Sequence, residues 1–502
     1  MDNFRVPLES QIQHDCHQRN LVSISISDPA HPFLFSRKKR LYTAIVTGCG
    51  YASSTLSSSL PGGASSYIAD HFQIKNQELV VLPLVIYLVG YIFGPLLLSP
   101  LSEHYGRKPT LNTANLVFFG ASIGCALAPT FSALVVFRFF AGLSAAVPLT
   151  VVGGVYADLF KDSASRGKAT ALYTIIGSLP TVCGPTLFAF VSIPSFRWSF
   201  WLTSILSGLL GIALAFLPET YLPKLEKMKA QKLRCRKDCA NSFAQIELDG
   251  RTSTAILGVA LSRPCRMFFG EAVVFFSSLY ASLIYAILFL LFAAYPYIFH
   301  GIYGMSYSIS GLAFLPMGLG VLLSYYVIFL WDRYYIRHLP KASERQRNAE
   351  YRRLPLACAG GILQVFSLFW LAWTSSSSIH WIVPMLSGVV FGMALMLIMV
   401  SIFNYLTDSY GIYSASALGA ASCVRSLWGA CLPLAAHSMY SNLGVAWATS
   451  ILGFAAVAMV PIPFVLIIYG EAIRARSEFC VKVHQKKDNF IERVEIGSAK
   501  GA

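Results

Sequence analysis

The chain has 502 residues, of which 55% are hydrophobic, 14% aromatic and only 13% charged, with a net charge of +15. A soluble globular domain carries about 25% charged residues, so an ordinary soluble enzyme or binding module is excluded. The positive balance reads as a membrane-topology signal, with attraction to anionic inner-leaflet lipid, and gives no support for nucleic-acid binding.

From the N-terminus, residues 1–40 form a polar tail in which His14, Asp15, His17 and Arg19 interrupt any apolar run of signal-peptide type, so the first span is expected to be retained. A helix crossing a hydrocarbon core of roughly 30 Å needs about 20 apolar residues. Twelve such windows follow, at approximately 41–59, 79–98, 110–128, 132–154, 169–191, 198–217, 272–293, 310–330, 355–373, 381–402, 415–438 and 446–469. The expected fold is an all-α membrane protein of twelve transmembrane helices in two six-helix halves. Residues 41–221 form the first half, 222–267 a basic linker, 268–469 the second half and 470–502 a C-terminal tail.

Lys and Arg in short loops stay on the cytoplasmic side. With both termini inside, the outward loops hold only Lys75 and Arg197 and two spans hold Arg138 and Arg425, which leaves 35 of the 39 cations cytoplasmic. The opposite orientation would expose those 35 outside.

Between the second and third windows lies Ser99-Pro100-Leu101-Ser102-Glu103-His104-Tyr105-Gly106-Arg107-Lys108-Pro109. Glu103, the chain-reversing Gly106, and the cations Arg107 and Lys108 form a charged latch that can stabilise one of two membrane conformations.

Ionisable groups inside a membrane are expensive and need a reason. Arg138 lies within the fourth span, where residue chemistry alone reads it as a cation satisfied by carbonyls or a loop carboxylate. Arg425 lies near the middle of the eleventh and reads as either a charge facing an anionic substrate or half of a packing ion pair. No carboxylate occupies a mid-span position; the nearest to the spans are Glu103, Asp158, Glu271, Asp332 and Asp408. Glu271, at the start of the seventh span, is the best proton-carrier candidate, against the plainer reading of a helix N-terminal acid.

The linker opens with Lys224, Lys227, Lys229, Lys232, Arg234, Arg236 and Lys237 against a lone Glu226, a pattern for a solvated or membrane-surface helix. The eleven cysteines avoid the outward loops, so no disulfide is expected. Cys235 and Cys239 lack a second ligand pair for a metal.

A central cavity near the bilayer midplane is expected between spans one, four, seven and ten. Ser54 in span one, Tyr280 and Tyr285 in span seven and Asn404 in span ten are its candidate lining residues. Such hydroxyl and aromatic groups suit an amphipathic organic molecule and argue mildly against a polyamine, which would call for an acidic pocket.

Several segments together carry a resemblance. These are Asp28-Pro29-Ala30-His31-Pro32 with Ser36-Arg37-Lys38-Lys39, Ser57-Ser58-Ser59-Leu60-Pro61-Gly62-Gly63-Ala64, Arg138-Phe139-Phe140-Ala141-Gly142, and Asp158 with Arg166-Gly167. Pro218-Glu219-Thr220-Tyr221, Glu350-Tyr351-Arg352-Arg353-Leu354-Pro355, Asn404-Tyr405-Leu406-Thr407-Asp408 and Leu443-Gly444-Val445 complete the pattern. In this order, each at a membrane boundary, they resemble the major facilitator superfamily, and within it the fungal twelve-span drug:proton antiporters, a group of multidrug, polyamine and secondary-metabolite exporters.

The resemblance implies a monomeric plasma-membrane exporter, with a vacuolar location as the alternative. It would have no bound cofactor and would be driven by protons, with Arg138 in the coupling. The antiporter signature in the fifth span retains Gly177, Pro180, Gly184 and Pro185, and the pair Gly184-Pro185 is the expected site of helix bending. Phe188 and Ala189 replace its terminal glycine pair, and the latch has Ser99 and His104 where glycine and a cation are usual. Two other readings stay open: an organic-acid exporter or facilitator using Arg425 or Arg138, and a sensor that keeps the transporter fold. The tails, about 40 and 33 residues, are short for a sensor. No nucleophile, base and acid converge in one loop as an enzyme would need.

Overall fold

The computed structural model describes residues 20–25, 28–160, 163–235, 242–248, 253–338, 349–477 and 479–481. Cys239, with the tail before Asn20, lies outside them.

Twelve long helical segments alternate in direction. Spans 1 to 6 are Arg37–Phe72, Leu82–Tyr105, Arg107–Leu127, Phe131–Leu159, Ser163–Val191 and Arg197–Ala215. Span 7 is Ala272–Pro296, prolonged by a π-helical turn at Tyr297–Ile302. Span 8 enters through Tyr307–Ser310 and Gly311–Phe314 and continues as Leu315–His338. Spans 9 to 11 are Ala349–Thr374, Ile382–Tyr410 and Ser414–Leu434, and span 12 comprises Ala436–Met459 and Pro461–Ala475. Ten of these are long and apolar enough to cross a membrane, so the protein is multi-pass. The other two are span 1, diluted by its serines and glycines, and span 2, whose apolar part is limited to Leu82–Leu98.

Sequence chemistry explains where the helices begin. Ser36 caps span 1 by accepting from the Lys39 amide at 3.3 Å, and Thr130 caps span 4 by accepting from the Ala133 amide at 3.3 Å. Small residues set how close the helices come. A Cβ on Gly142 would lie 2.1 Å from the Tyr87 carbonyl, which presses span 4 on span 2, and one on Gly392 would lie 2.0 Å from the Met317 carbonyl, which does the same for spans 10 and 8.

The two halves meet along two seams, span 2 against span 11 and span 5 against span 8. The second seam includes Thr186, whose hydroxyl donates to the Gly311 carbonyl at 2.6 Å. At the span 1 end remote from Arg107, the Tyr67 and Ser308 hydroxyls also join the halves at 2.9 Å. That end is called here the far end, and the Arg107 end the latch end.

The linker forms a helix at Leu222–Cys235 and another at Ser253–Gly270. The first holds the N-terminal tail: Lys229 pairs with Asp28 at 2.7 Å, and Glu226 accepts from the Ile24 amide at 3.1 Å. Beyond it, Asn20–Leu21 pairs in parallel with Ser242–Phe243. Lys229 and the Ala30 amide hold the Asp28 carboxyl below the ordinary carboxylate range.

Candidate functional site

At the latch end, Gly106 takes φ +103°, a conformation that favours glycine, and a Cβ there would sit 2.5 Å from Glu219 Oε2. Glu219 is thereby brought onto the first turn of span 3. It accepts from the backbone amides of Arg107 at 3.0 Å and Lys108 at 3.2 Å, and from those of Thr220 at 2.9 Å and Tyr221 at 3.0 Å. Four amides around one carboxylate at a helix N-terminus is a favourable site for negative charge. The Arg107 guanidinium points elsewhere, to Asp158 of span 4 at 3.4 Å and Ser102 of span 2 at 2.8 Å, and a Cβ on Gly154 would obstruct it at 2.6 Å.

This corrects the expected latch. Gly106 supplies the turn, Arg107 its guanidinium and Lys108 only its backbone amide, whereas Glu103 is exposed and pairs with no cation among the described residues. Consecutive helix positions are about 100° apart, so when Ser102 faces Arg107 its neighbour Glu103 turns away. Asp158 and Glu219 supply the negative charge instead. The second half repeats the arrangement at the starts and ends of its equivalent spans: Arg353 of span 9 pairs with Asp408 of span 10 at 2.9 Å.

Arg138 is 1% exposed and donates to two carbonyls and a hydroxyl: Pro83 O at 3.0 Å, Ser57 O at 3.1 Å and Ser57 Oγ at 3.3 Å. The Tyr87 ring lies 4.2 Å from its Cζ, and Nη2 has no partner. Glu271 is 5% exposed and stands at the N-cap of span 7, where its side chain makes no capping bond and accepts from the Tyr410 hydroxyl at 3.1 Å.

At the junction of the halves is a second arginine. Arg425, 6% exposed, packs over the Tyr285 ring at 4.3 Å and the Phe403 ring at 5.5 Å. It is within electrostatic reach of Tyr51 in span 1 and Tyr173 in span 5, whose rings stack at 4.5 Å. No carboxylate pairs with it among the described residues, and Nε lacks any hydrogen-bond partner. The expected packing ion pair is therefore absent there. Span 5 admits Tyr51 only because residue 177 is glycine, where a Cβ would lie 1.6 Å from the ring. Tyr51 and Tyr173 were missed by sequence reasoning; the surviving Gly177 was the available signal.

The cavity candidates divide. Tyr285 lies on the junction under Arg425. Ser54 borders only a small cavity of about 20 Å³ between spans 1, 3, 4 and 6, and its hydroxyl donates to the Ala145 carbonyl at 2.5 Å and contacts the Tyr91 hydroxyl, tying spans 1, 2 and 4 together. Tyr280 is also committed to packing, donating to the Ala357 carbonyl of span 9 at 2.8 Å. Asn404 is half-buried near the latch end of span 10.

Gly184 and Pro185, expected to bend span 5, pack it against span 1. A Cβ on Gly184 would meet Ser59 Oγ at 2.0 Å, and one on Gly63 would meet the Pro185 carbonyl at 2.1 Å. Ala189, standing where a glycine was expected, is accommodated by glycines on its partners, Gly63 in span 1 and Gly311 before span 8.

At the far end, spans 1, 5, 7, 8, 11 and 12 border a cavity of about 270 Å³, whose wall includes Phe292, Tyr297, His300, Tyr307, Phe314 and His437.

Two ion-paired helix starts thus lie at the latch end, and a buried arginine lies between the two helical halves. A family model described as Major Facilitator Superfamily matches residues 47–433. The chain belongs to the major facilitator superfamily. It is a membrane-embedded small-molecule transporter rather than an enzyme. Its relatives include "Efflux pump FUB11" of Gibberella moniliformis, 36% identical over 91% of this chain and 77% of that protein. "MFS-type efflux pump MFS2" of Trichophyton rubrum is 38% identical over 91% and 77% of the two chains, and "MFS-type transporter penM" of Penicillium rubens 35% identical over 90% and 89%. The fold is that of the xylose transporter XylE from E. coli in its partially occluded inward open conformation. That structure aligns with a TM-score of 0.62 at 16% identity over 86% of this chain and 97% of that one.

Proposed function

We propose that this transporter exports a small organic metabolite or toxin bearing an acidic group, from the latch side to the far side, by alternating access. The named efflux pumps among its relatives support the direction. The observation that carries the substrate class is Arg425, a guanidinium 6% exposed at the junction of the halves with an unpartnered Nε and no carboxylate paired to it. An uncompensated buried charge is costly, and an incoming carboxylate would offset that cost while the surrounding Tyr51, Tyr173 and Tyr285 rings hold an aromatic or amphipathic body. Protons moving inward would drive export, with Glu271 as the carrier, in the plasma membrane with both termini cytoplasmic. The hydroxyl-bearing rings around Arg425 also favour a second reading, export of a neutral amphipathic compound.

Purified protein reconstituted in sealed vesicles, loaded with an aromatic carboxylate or its neutral alcohol under an imposed pH gradient, tests this. Losing one partner of a buried charge contact costs about 2–5 kcal/mol, so Arg425→Gln should slow carboxylate movement at least about 30-fold and spare the alcohol. Equal loss of both assigns Arg425 to structure, and carboxylate movement indifferent to the gradient removes proton coupling.

A further inference from the structure

Phe292 of span 7 seats on Gly62 of span 1, where a Cβ would lie 3.0 Å from the ring. This contact between the halves lies, along span 7, between Tyr285 under Arg425 and the π-helical turn at the far-end cavity, and both Phe292 and Gly62 border that cavity. The two sides are connected along span 7 by a ladder of rings: Tyr285 to Phe289 at 4.8 Å, Phe289 to Phe292 at 5.1 Å, and Phe292 to Phe314 at 5.5 Å. Rings spaced four and three residues apart share one helix face. They form an unbroken buried run of tilted and edge-to-face rings from Tyr285, over which Arg425 lies, to the cavity wall.

The cavity differs in chemistry from the junction. None of its lining residues is Asp, Glu, Lys or Arg. The π-helical turn Tyr297–Ile302 places Tyr297 and His300 in its wall, and π-turns recur at functional sites. His300 stacks on Tyr307 with centroids 4.0 Å apart. Its Nδ1 lies 2.6 Å from the Met305 carbonyl, which can only accept, so Nδ1 carries the proton and Nε2 is left to meet a ligand. The volume, about 270 Å³, is near the lower bound of roughly 300 Å³ for ligand pockets. That suits a compound of two fused rings.

We propose that this cavity is a second, release-side binding site that holds the flat aromatic body of the transported compound and is indifferent to its charge, with the Phe292–Gly62 contact as the partition from the Arg425 site. The inference rests on the export reading and deepens it. An anion held by Arg425 would pass to a site that does not read its charge, and weaker holding there favours release.

Equilibrium binding of 2-naphthoate and its neutral counterpart 2-naphthol to the intact protein in nanodiscs tests this. Wild type should bind two equivalents of naphthoate of unequal affinity. Arg425→Gln should keep one, with an affinity within about threefold of naphthol's. His437→Trp, at an exposed position of the cavity wall, should remove that remaining equivalent and leave the tighter naphthoate site of wild type. As a second readout, labelling of a His437→Cys variant by a membrane-impermeant thiol reagent should slow at least fivefold with naphthol present. A single naphthoate equivalent that vanishes in Arg425→Gln overturns the proposal, as does a remaining equivalent that His437→Trp leaves untouched or a wild type that binds neither probe. Vesicle efflux of naphthoate separates the two readings: efflux with one site sinks only the release site, and two sites without efflux sink only the export assignment.

Discussion

Replacing Glu219 by Gln tests the latch where its structure is most specific. The wild-type carboxylate accepts four backbone N–H groups, two from the first turn of span 3 and two from its own turn. The amide preserves the shape and one accepting oxygen but removes the charge, and its NH2 group faces donors. Hydrogen bonds to a charged acceptor contribute about 1.5–3 kcal/mol each when buried. Glu219 is only partly buried, and water can replace some of what is lost, so the scale is closer to that of a lost helix cap plus its charge, about 2–3 kcal/mol. If that contribution is present in only one membrane conformation, the equilibrium between conformations shifts by roughly 30- to 150-fold. The assay is transport in vesicles beside thermal unfolding in detergent and the rate of thiol labelling at the exposed Cys49 of span 1. The expected outcome is a transport rate reduced at least tenfold, normal membrane insertion and an altered labelling rate. Unchanged transport and labelling would refute a role for Glu219 in switching, and a lowered melting temperature with unchanged labelling would make it a structural cap only.

Three further substitutions follow from the same geometry. Arg107→Ala, which removes contacts to both Asp158 and Ser102, should cut transport strongly, whereas Glu103→Ala at its exposed position should change it less than twofold; equal effects would restore Glu103 to the latch. Gly63→Val places side-chain atoms where a Cβ alone already meets the Pro185 carbonyl at 2.1 Å; overpacking of this kind costs about 1–3 kcal/mol, seen as a lower melting temperature, and an unchanged one would show that the span 1–span 5 seam yields. Glu271→Gln keeps an acceptor for the Tyr410 hydroxyl but cannot take up a proton, so export should lose its dependence on the pH gradient; a retained dependence excludes Glu271 as the carrier.

How much was legible in the sequence varies with the range of the interaction responsible. Span number and type follow from hydropathy, because a membrane helix satisfies its own backbone and needs no partner to be recognised. The turn at Gly106 and the cations after it were equally readable, being local. The acid that completes the latch was not. Glu219 is 112 residues from Arg107 in the chain, and Glu103, the adjacent carboxylate, was the natural choice until helix geometry turned it outward. The same holds at the centre. Arg425 stood out as an intramembrane charge, but whether an acid neutralises it depends on which helices pack around it, and those bring Tyr51, Tyr173, Tyr285 and Phe403 instead.

The sequence by itself determined what each segment is: an apolar helix, a basic linker, a glycine turn, an arginine placed where charge is expensive. Tertiary structure alone decided what each side chain faces. It made Ser54 and Tyr280 ties between helices and set Gly184 and Pro185 against span 1. It also gathered rings from spans 7 and 8 into a far-end cavity. The physical reason is that hydropathy and helix propensity act within about 20 residues, while helix facing is set by close packing between segments tens of residues to more than a hundred residues apart.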